Sequence, residues 1–342
     1  MFTVELFTHK IARMLLLSFL TFCVAMILTP VYTHFAYKYH WWKRHRTAST
    51  TGEVLTVIAK LRIKRTIPMM AGLIMVLATT VITVLFNLNR HQTWLPLAAL
   101  LGGGLVGLID DIINVRGQGG VMAGLRAPMK FLMITLVAAA MALFFYHKLD
   151  ITTLHVPFIA GTFALGWTII PLFILAVVST GNAVNISDGM DGLSGGLLIS
   201  AYAAFGVIAT LQGSFGIAAF CMTVVGALLA YLWFNIPPAR FIMGDVGSFS
   251  LGTALGVIAM LTGTLFLLPV IGLVFVAEAG SSVLQISSKK LLHRRIFIAA
   301  PLHHHLEATG WEKTKVTMRL WVIGEVCAAL GVILALLGGY IH

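Results

Sequence analysis

The sequence predicts an all-α protein that threads repeatedly through a membrane. Composition is the first reason: of 342 residues, 59% are hydrophobic and only 10% are charged, whereas a soluble domain carries about 25% charged residues. The second is repetition, because apolar runs near the roughly 20 residues needed to cross a bilayer recur ten times along the chain. The third is confinement, since the polar residues are gathered into the intervals between runs.

Taken in order, the expected spans are 13–36, 67–88, 94–113, 128–146, 166–184, 194–211, 215–232, 247–262, 264–286 and 316–340. The first follows Lys10 and Arg13 as a signal peptide would. It is too long for one and lacks a small-residue cleavage site, so it reads as an uncleaved span. Glycines inside the runs, such as Gly102-Gly103-Gly104 and Gly195-Gly196, suit close helix packing in lipid. The sizeable polar intervals are 37–66, 147–165 and 287–315. The interval 147–165 mixes β-branched residues with Pro157 and Gly161, which predicts a short outer hairpin. Cys23, Cys221 and Cys327 lie far apart in apolar runs, without metal-ligand spacing or a disulfide framework, and read as packing residues. With no repeat and no soluble segment of its own, the chain reads as one membrane domain, 1–342.

A formal charge of +11 would suit nucleic acid in a soluble protein; in a membrane protein it sets topology. Nineteen of the 23 lysines and arginines fall on the odd-numbered intervals, including Lys38, Lys43, Arg44, Arg46, Lys60, Arg62, Lys64 and Arg65 in the first. The positive-inside rule places that side in the cytoplasm and both termini outside.

Five of the six aspartates, Asp110, Asp111, Asp188, Asp191 and Asp245, fall at the expected cytoplasmic ends of spans. Acids at a membrane boundary are costly and tend to mark function. The plain alternative is solvated loop acids balancing nearby lysines. Hard carboxylate oxygens suit Mg²⁺ shared with substrate phosphates. Asp188 and Asp191 sit in a glycine-punctuated stretch, Asn185-Ile186-Ser187-Asp188-Gly189-Met190-Asp191-Gly192, and Asp245 in Met243-Gly244-Asp245-Val246-Gly247-Ser248 at a helix start, where backbone amides attract phosphate. His303, His304 and His305 are consecutive; zinc sites space their ligands differently, so imidazole contacts to phosphate are the better reading, beside a solvated loop. Glu278 and Glu325 lie inside apolar runs and are assigned hydrogen bonding within the bundle rather than chemistry.

Asp110-Asp111, the run Asn182 to Leu193, Phe234-Asn235, Met243 to Ser248 and Pro301 to His305 followed by Gly310-Trp311 stand in one order. In that combination the chain resembles the phospho-N-acetylmuramoyl-pentapeptide transferases (translocase I) of the polyprenyl-phosphate N-acetylhexosamine-1-phosphate transferases. The resemblance spans nearly the whole length, and the histidine triplet before Gly-Trp points to that branch over its N-acetylglucosamine relatives. It implies a ten-helix, Mg²⁺-dependent, commonly dimeric enzyme of the bacterial inner membrane with its active site facing the cytoplasm. Such an enzyme would move phospho-MurNAc-pentapeptide from UDP-MurNAc-pentapeptide to undecaprenyl phosphate, giving lipid I and UMP for peptidoglycan.

Carried over position by position, the resemblance makes Asp245 the metal ligand and sets Asp110 and Asp111 beside the reacting phosphates, one as base. Lys130 would neutralise phosphate charge. Asn182, Asn185, Asp188, Gly189, Met190 and Asp191 would line the nucleotide and phosphate pocket, and His303, His304 and His305 would help close it. Ile242 stands where the family carries an aromatic for the uracil, Asn114 where it carries a lysine, and Ile67 to Gly72 replaces its Thr-Pro-x-Met-Gly-Gly. One alternative is GlcNAc-1-phosphate transfer to the same lipid. Another is a cation-coupled transporter, whose site would lie near the midplane and not at one face; a third is a non-catalytic scaffold, in which clustered acids would have no use.

Overall fold

Burial divides the chain into an apolar core and an equally apolar exterior. A computed structural model describes residues 2–42, 67–116, 124–159 and 161–341. Most of the basic first interval, Lys43 to Arg65, therefore lies outside the described residues. Large apolar side chains such as Leu16, Phe19, Ile27, Leu105, Leu136, Leu175 and Val326 are exposed around the bundle. Water would not tolerate such a surface at this extent, and hydrocarbon would.

The helices are α1 (Phe2–Lys38), α2 (Gly72–Phe86), α3 (Trp94–Arg116), α4 (Ala127–Leu149), α5 (Ile169–Ser187), α6 (Leu193–Leu211), α7 (Phe215–Asn235), α8 (Gly244–Leu261), α9 (Leu268–Ile271), α10 (Leu273–Leu291), α11 (Leu302–Ala308) and α12 (Lys313–Leu337). Among the described residues, eight helices are long and apolar enough to span a membrane. The chain is an all-helical, multi-pass membrane protein. The expected hairpin is present as β1 (Thr153–His155) and β2 (Thr162–Ala164), paired antiparallel with Leu154 opposite Phe163.

Two of the ten expected spans are corrected. The run 264–286 is not one continuous helix: α9 and α10 meet at an 81° bend. Pro269 opens α9, and the Gly272 N–H closes onto the carbonyls of Leu268 and Val270, so the ladder ends there and restarts in a new direction. The run 67–88 is helical only from Gly72, for 15 residues. Its first residues are not helical and pair with other backbone. Ile242 N–H donates to the Pro68 carbonyl (3.0 Å), Ala71 N–H to Ile242 (3.1 Å) and Gly72 N–H to Met243 (2.9 Å). Non-helical backbone inside a membrane protein is tolerated where protein satisfies it in this way.

The axis of the bundle is α8, whose apolar span is 89% buried. Glycines set its distance from both neighbours. A side chain at Gly107 of α3 would collide with the backbone of Asp245 and Val246, and one at Gly103 with Phe249 and Thr253. On the other side, Gly252 and Gly256 of α8 lie against Gly181, Thr180 and Val177 of α5. Packing of this closeness lets backbones touch, the usual means of helix association in lipid. Thr253 adds a hydrogen bond from its hydroxyl to the Ala99 carbonyl of α3 (2.9 Å).

Candidate active site

Helix directions decide what can meet. Asp110 and Asp111 lie near the C-terminal end of α3, Lys130 in the first turn of α4, Asn185 in the last turn of α5 and Asp245 in the first turn of α8. These ends converge. Single ligand atoms from Asp110, Asp111 and Asp245 all lie within 4.8 Å of one another.

The Lys130 ammonium bridges this group, 2.7 Å from Asp110 and 2.5 Å from Asp245. Asp110 also accepts the Leu125 N–H (2.5 Å). Asn185 donates through its amide to Asp245 Oδ1 (3.0 Å) and to the Ser248 hydroxyl (2.8 Å). Asp111 is fully buried and accepts the Asp245 and Val246 N–H groups, at 3.1 Å each. It thereby caps the start of α8 from a neighbouring helix, satisfying amides that a helix N-terminus leaves free. Gly244, just before them, holds φ at +71°, and a side chain there would strike the Asp111 carboxylate. Both facts call for glycine.

The Asp188–Gly192 turn is braced from three directions. Ala239 N–H donates to the Asp191 carboxylate (3.1 Å), and Gly192 N–H donates to Asn235 Oδ1 (2.8 Å). Asn235, buried, donates in turn to the Phe241 carbonyl (2.9 Å), and Trp321 of α12 donates to the Gly192 carbonyl (3.1 Å). The Phe234-Asn235 motif is thus the clamp that ties this turn to the segment entering α8.

The histidine triplet is not a convergent group. His303 is buried against Gly189, where a Cβ would meet its ring, and its Nδ1 lies 2.8 Å from Glu278 Oε2. His304 pairs with Glu307 (3.0 Å). His305 turns to Phe297, ring to ring at 5.4 Å, and accepts the Ile298 N–H (3.3 Å). Consecutive residues on the short helix α11 point about 100° apart, which is why they separate. Glu278 is the residue that sequence reasoning left without a partner: it is fully buried and receives both the ring and the backbone N–H of His303. Glu325 likewise accepts the Ser200 hydroxyl (2.5 Å).

Of the other expected site residues, Asn182 donates back to Val178 on its own helix (2.8 Å), and Met190 is buried in the main core. Ile242 packs against the Met69, Met70 and Val246 cluster with Trp41, and Phe241 is buried among Tyr32, Tyr231 and Phe234. Neither stands in the acid cluster. Asn114 is buried one turn beyond Asp110, and its Oδ1 meets no partner among the described residues.

An apolar bundle with carboxylates, an ammonium and an amide gathered at one end is a membrane protein with a polar site at its helix ends. Residues 93–263, which carry all of the cluster, match the family described as glycosyl transferase family 4. Over 345 aligned residues the chain is 38% identical to the phospho-N-acetylmuramoyl-pentapeptide-transferase of Chloroflexus aggregans, covering 97% of this chain and 92% of that protein. It is 39% identical over 270 residues to the enzyme of that name from Geobacillus thermodenitrificans, covering 78% of this chain and 82% of the relative. The chain belongs to glycosyl transferase family 4, among the phospho-N-acetylmuramoyl-pentapeptide-transferases.

Proposed function

We propose that this protein transfers phospho-MurNAc-pentapeptide from UDP-MurNAc-pentapeptide to undecaprenyl phosphate in a bacterial cytoplasmic membrane, yielding lipid I and UMP. The observation that carries the reading is the convergence of Asp110, Asp111 and Asp245 around Lys130. It is supported by relatives that bear the transferase name over most of their length.

The donor set suits Mg²⁺. It consists of carboxylate oxygens alone, a hard set that magnesium prefers, and a cation, the Lys130 ammonium, is already drawn between two of them. Asp245 would hold the ion, with Asp110 and Asp111 in reach, and the bound ion would neutralise diphosphate charge. The chain's own residues do the rest. Phosphoryl transfer needs alignment and charge neutralisation more than a strong nucleophile. An oxygen of the lipid phosphate bonds to the sugar-bearing phosphorus, the bond from that phosphorus to the bridging oxygen breaks, and UMP leaves with the bridging oxygen. Asp110 is the better placed of the pair to take a proton from the acceptor, because Asp111 is committed to the start of α8. Lys130 offers its ammonium to the phosphates, and Asn185 fixes the Asp245 carboxylate. The distribution of lysine and arginine supports a cytoplasmic position for this end and outer positions for both termini. A homodimer is the expected assembly, and 1–342 a single domain.

The test supplies purified protein, Mg²⁺ and undecaprenyl phosphate with either nucleotide sugar. UMP release from UDP-MurNAc-pentapeptide and none from UDP-GlcNAc is expected; the reverse preference would move the protein to the N-acetylglucosamine branch.

A further inference from the structure

A groove of about 730 Å³ runs along the outside of α1 at the end of the bundle that holds the acid cluster. Its walls are Pro30 and Tyr37 of α1 and Phe234 of α7, and its rim carries His34, Lys38 and Arg240. Arg240 is brought there by a turn in which its N–H donates to the Phe234 carbonyl (2.8 Å). Among the described residues no carboxylate lines the groove. Among the described residues neither Lys38 nor Arg240 has an ion-pair partner. Around it the surface is that of a membrane interface: Ile27 and Val31 are exposed below, and Tyr37, Tyr39 and Trp233 are exposed at the level of the cations. Tyrosine and tryptophan collect at that depth.

Apolar walls ending in cations that meet no carboxylate among the described residues are complementary to an amphiphile with an anionic head. We infer that this groove binds an anionic glycerophospholipid, with the headgroup phosphate between Lys38 and Arg240 and the acyl chains along α1 and α7. Basic pockets between membrane helices hold such headgroups, and the volume is that of a small-molecule site. The occupant is distinct from the lipid acceptor of the reaction. Helix α1 packs on α2 and α7, whereas the Lys130 helix α4 packs on α3 and α5. Tyr32, Met69 and Phe241, all buried, pack together between α1 and the segment that leads into α8. The groove therefore faces a different flank from α4.

Native mass spectrometry of the delipidated full chain in neutral detergent tests this, with phosphatidylglycerol, phosphatidylcholine and undecaprenyl phosphate titrated separately and in competition. Wild type should retain phosphatidylglycerol roughly ten- to thirty-fold more tightly than phosphatidylcholine, the order set by two cations at an anionic head. K38Q/R240Q should lose that preference and K38R/R240K should keep it. Both side chains are exposed, so the fold should survive, and an unchanged thermal melt checks that it does. Equal binding of the two phospholipids by wild type, or an undiminished preference in K38Q/R240Q, would overturn the proposal. Displacement of phosphatidylglycerol by undecaprenyl phosphate from the same cations would overturn it too, and make the groove the acceptor's.

Discussion

Asp111 and Asp245 belong to one carboxylate group, yet their surroundings assign them different work. Asp245 is partly exposed and meets Lys130 and Asn185, groups that an incoming phosphate can also engage. D245N keeps the shape and the contact to Asn185, so the expected result is loss of UMP release with a thermal melt that matches wild type when Mg²⁺ is absent. Asp111 is buried and accepts two amides at the start of α8. D111A leaves those amides bare, and loss of such a cap costs about 0.5–2 kcal/mol; a lower melting temperature in detergent measures it. A D111A protein that melts like wild type would remove the capping role. The sequence placed both acids at one face but could not separate them, because a cap supplied from another helix leaves no local signature. Glu278 was illegible for a related reason: its partner His303 lies 25 positions away.

At the scale of elements, α8 depends on neighbours that surrender their side chains. Gly107 lets α3 lie directly against the backbone at Asp245, so the same contact that packs the helices also delivers Asp110 and Asp111. G107V should cost about 1–3 kcal/mol or more by overpacking and reduce UMP release beyond the loss of folded protein. Gly280 on α10 faces open space, and G280A should be neutral or stabilising by up to about 1 kcal/mol. Parallel melts and assays of the two variants check the contrast; equal effects would refute it. Hydropathy found the eight long helices of the bundle because each carries an apolar run near the length of a span, and it had no signal for α11, whose sequence is polar. It missed the bend at Gly272, since an average over 20 residues does not register direction, although Pro269 and Gly272 were visible. It overran the start of α2 because Pro68 to Gly72 pairs with Ile242 and Met243, residues some 170 positions later.

For the molecule as a whole, three carboxylates drawn to one point repel one another, so a divalent cation held between them should stabilise the fold as well as permit turnover. A ligand at 100 times its dissociation constant adds about 2.7 kcal/mol. Removing Mg²⁺ with a chelator should stop UMP release and lower the melting temperature, magnesium should restore both, and D245N should show little of the thermal shift. A melt indifferent to magnesium would argue against the carboxylate group as the ion's seat. The short second span bears on the lipid itself. At 1.5 Å per residue, α2 reaches about 22 Å, against a hydrocarbon core of about 30 Å, and its outer face is bare apolar surface at Leu77, Val81 and Leu85. Local thinning is one way in which a bilayer adapts to so short a wall, so a membrane of shorter acyl chains should seat α2 with less distortion than a thick one.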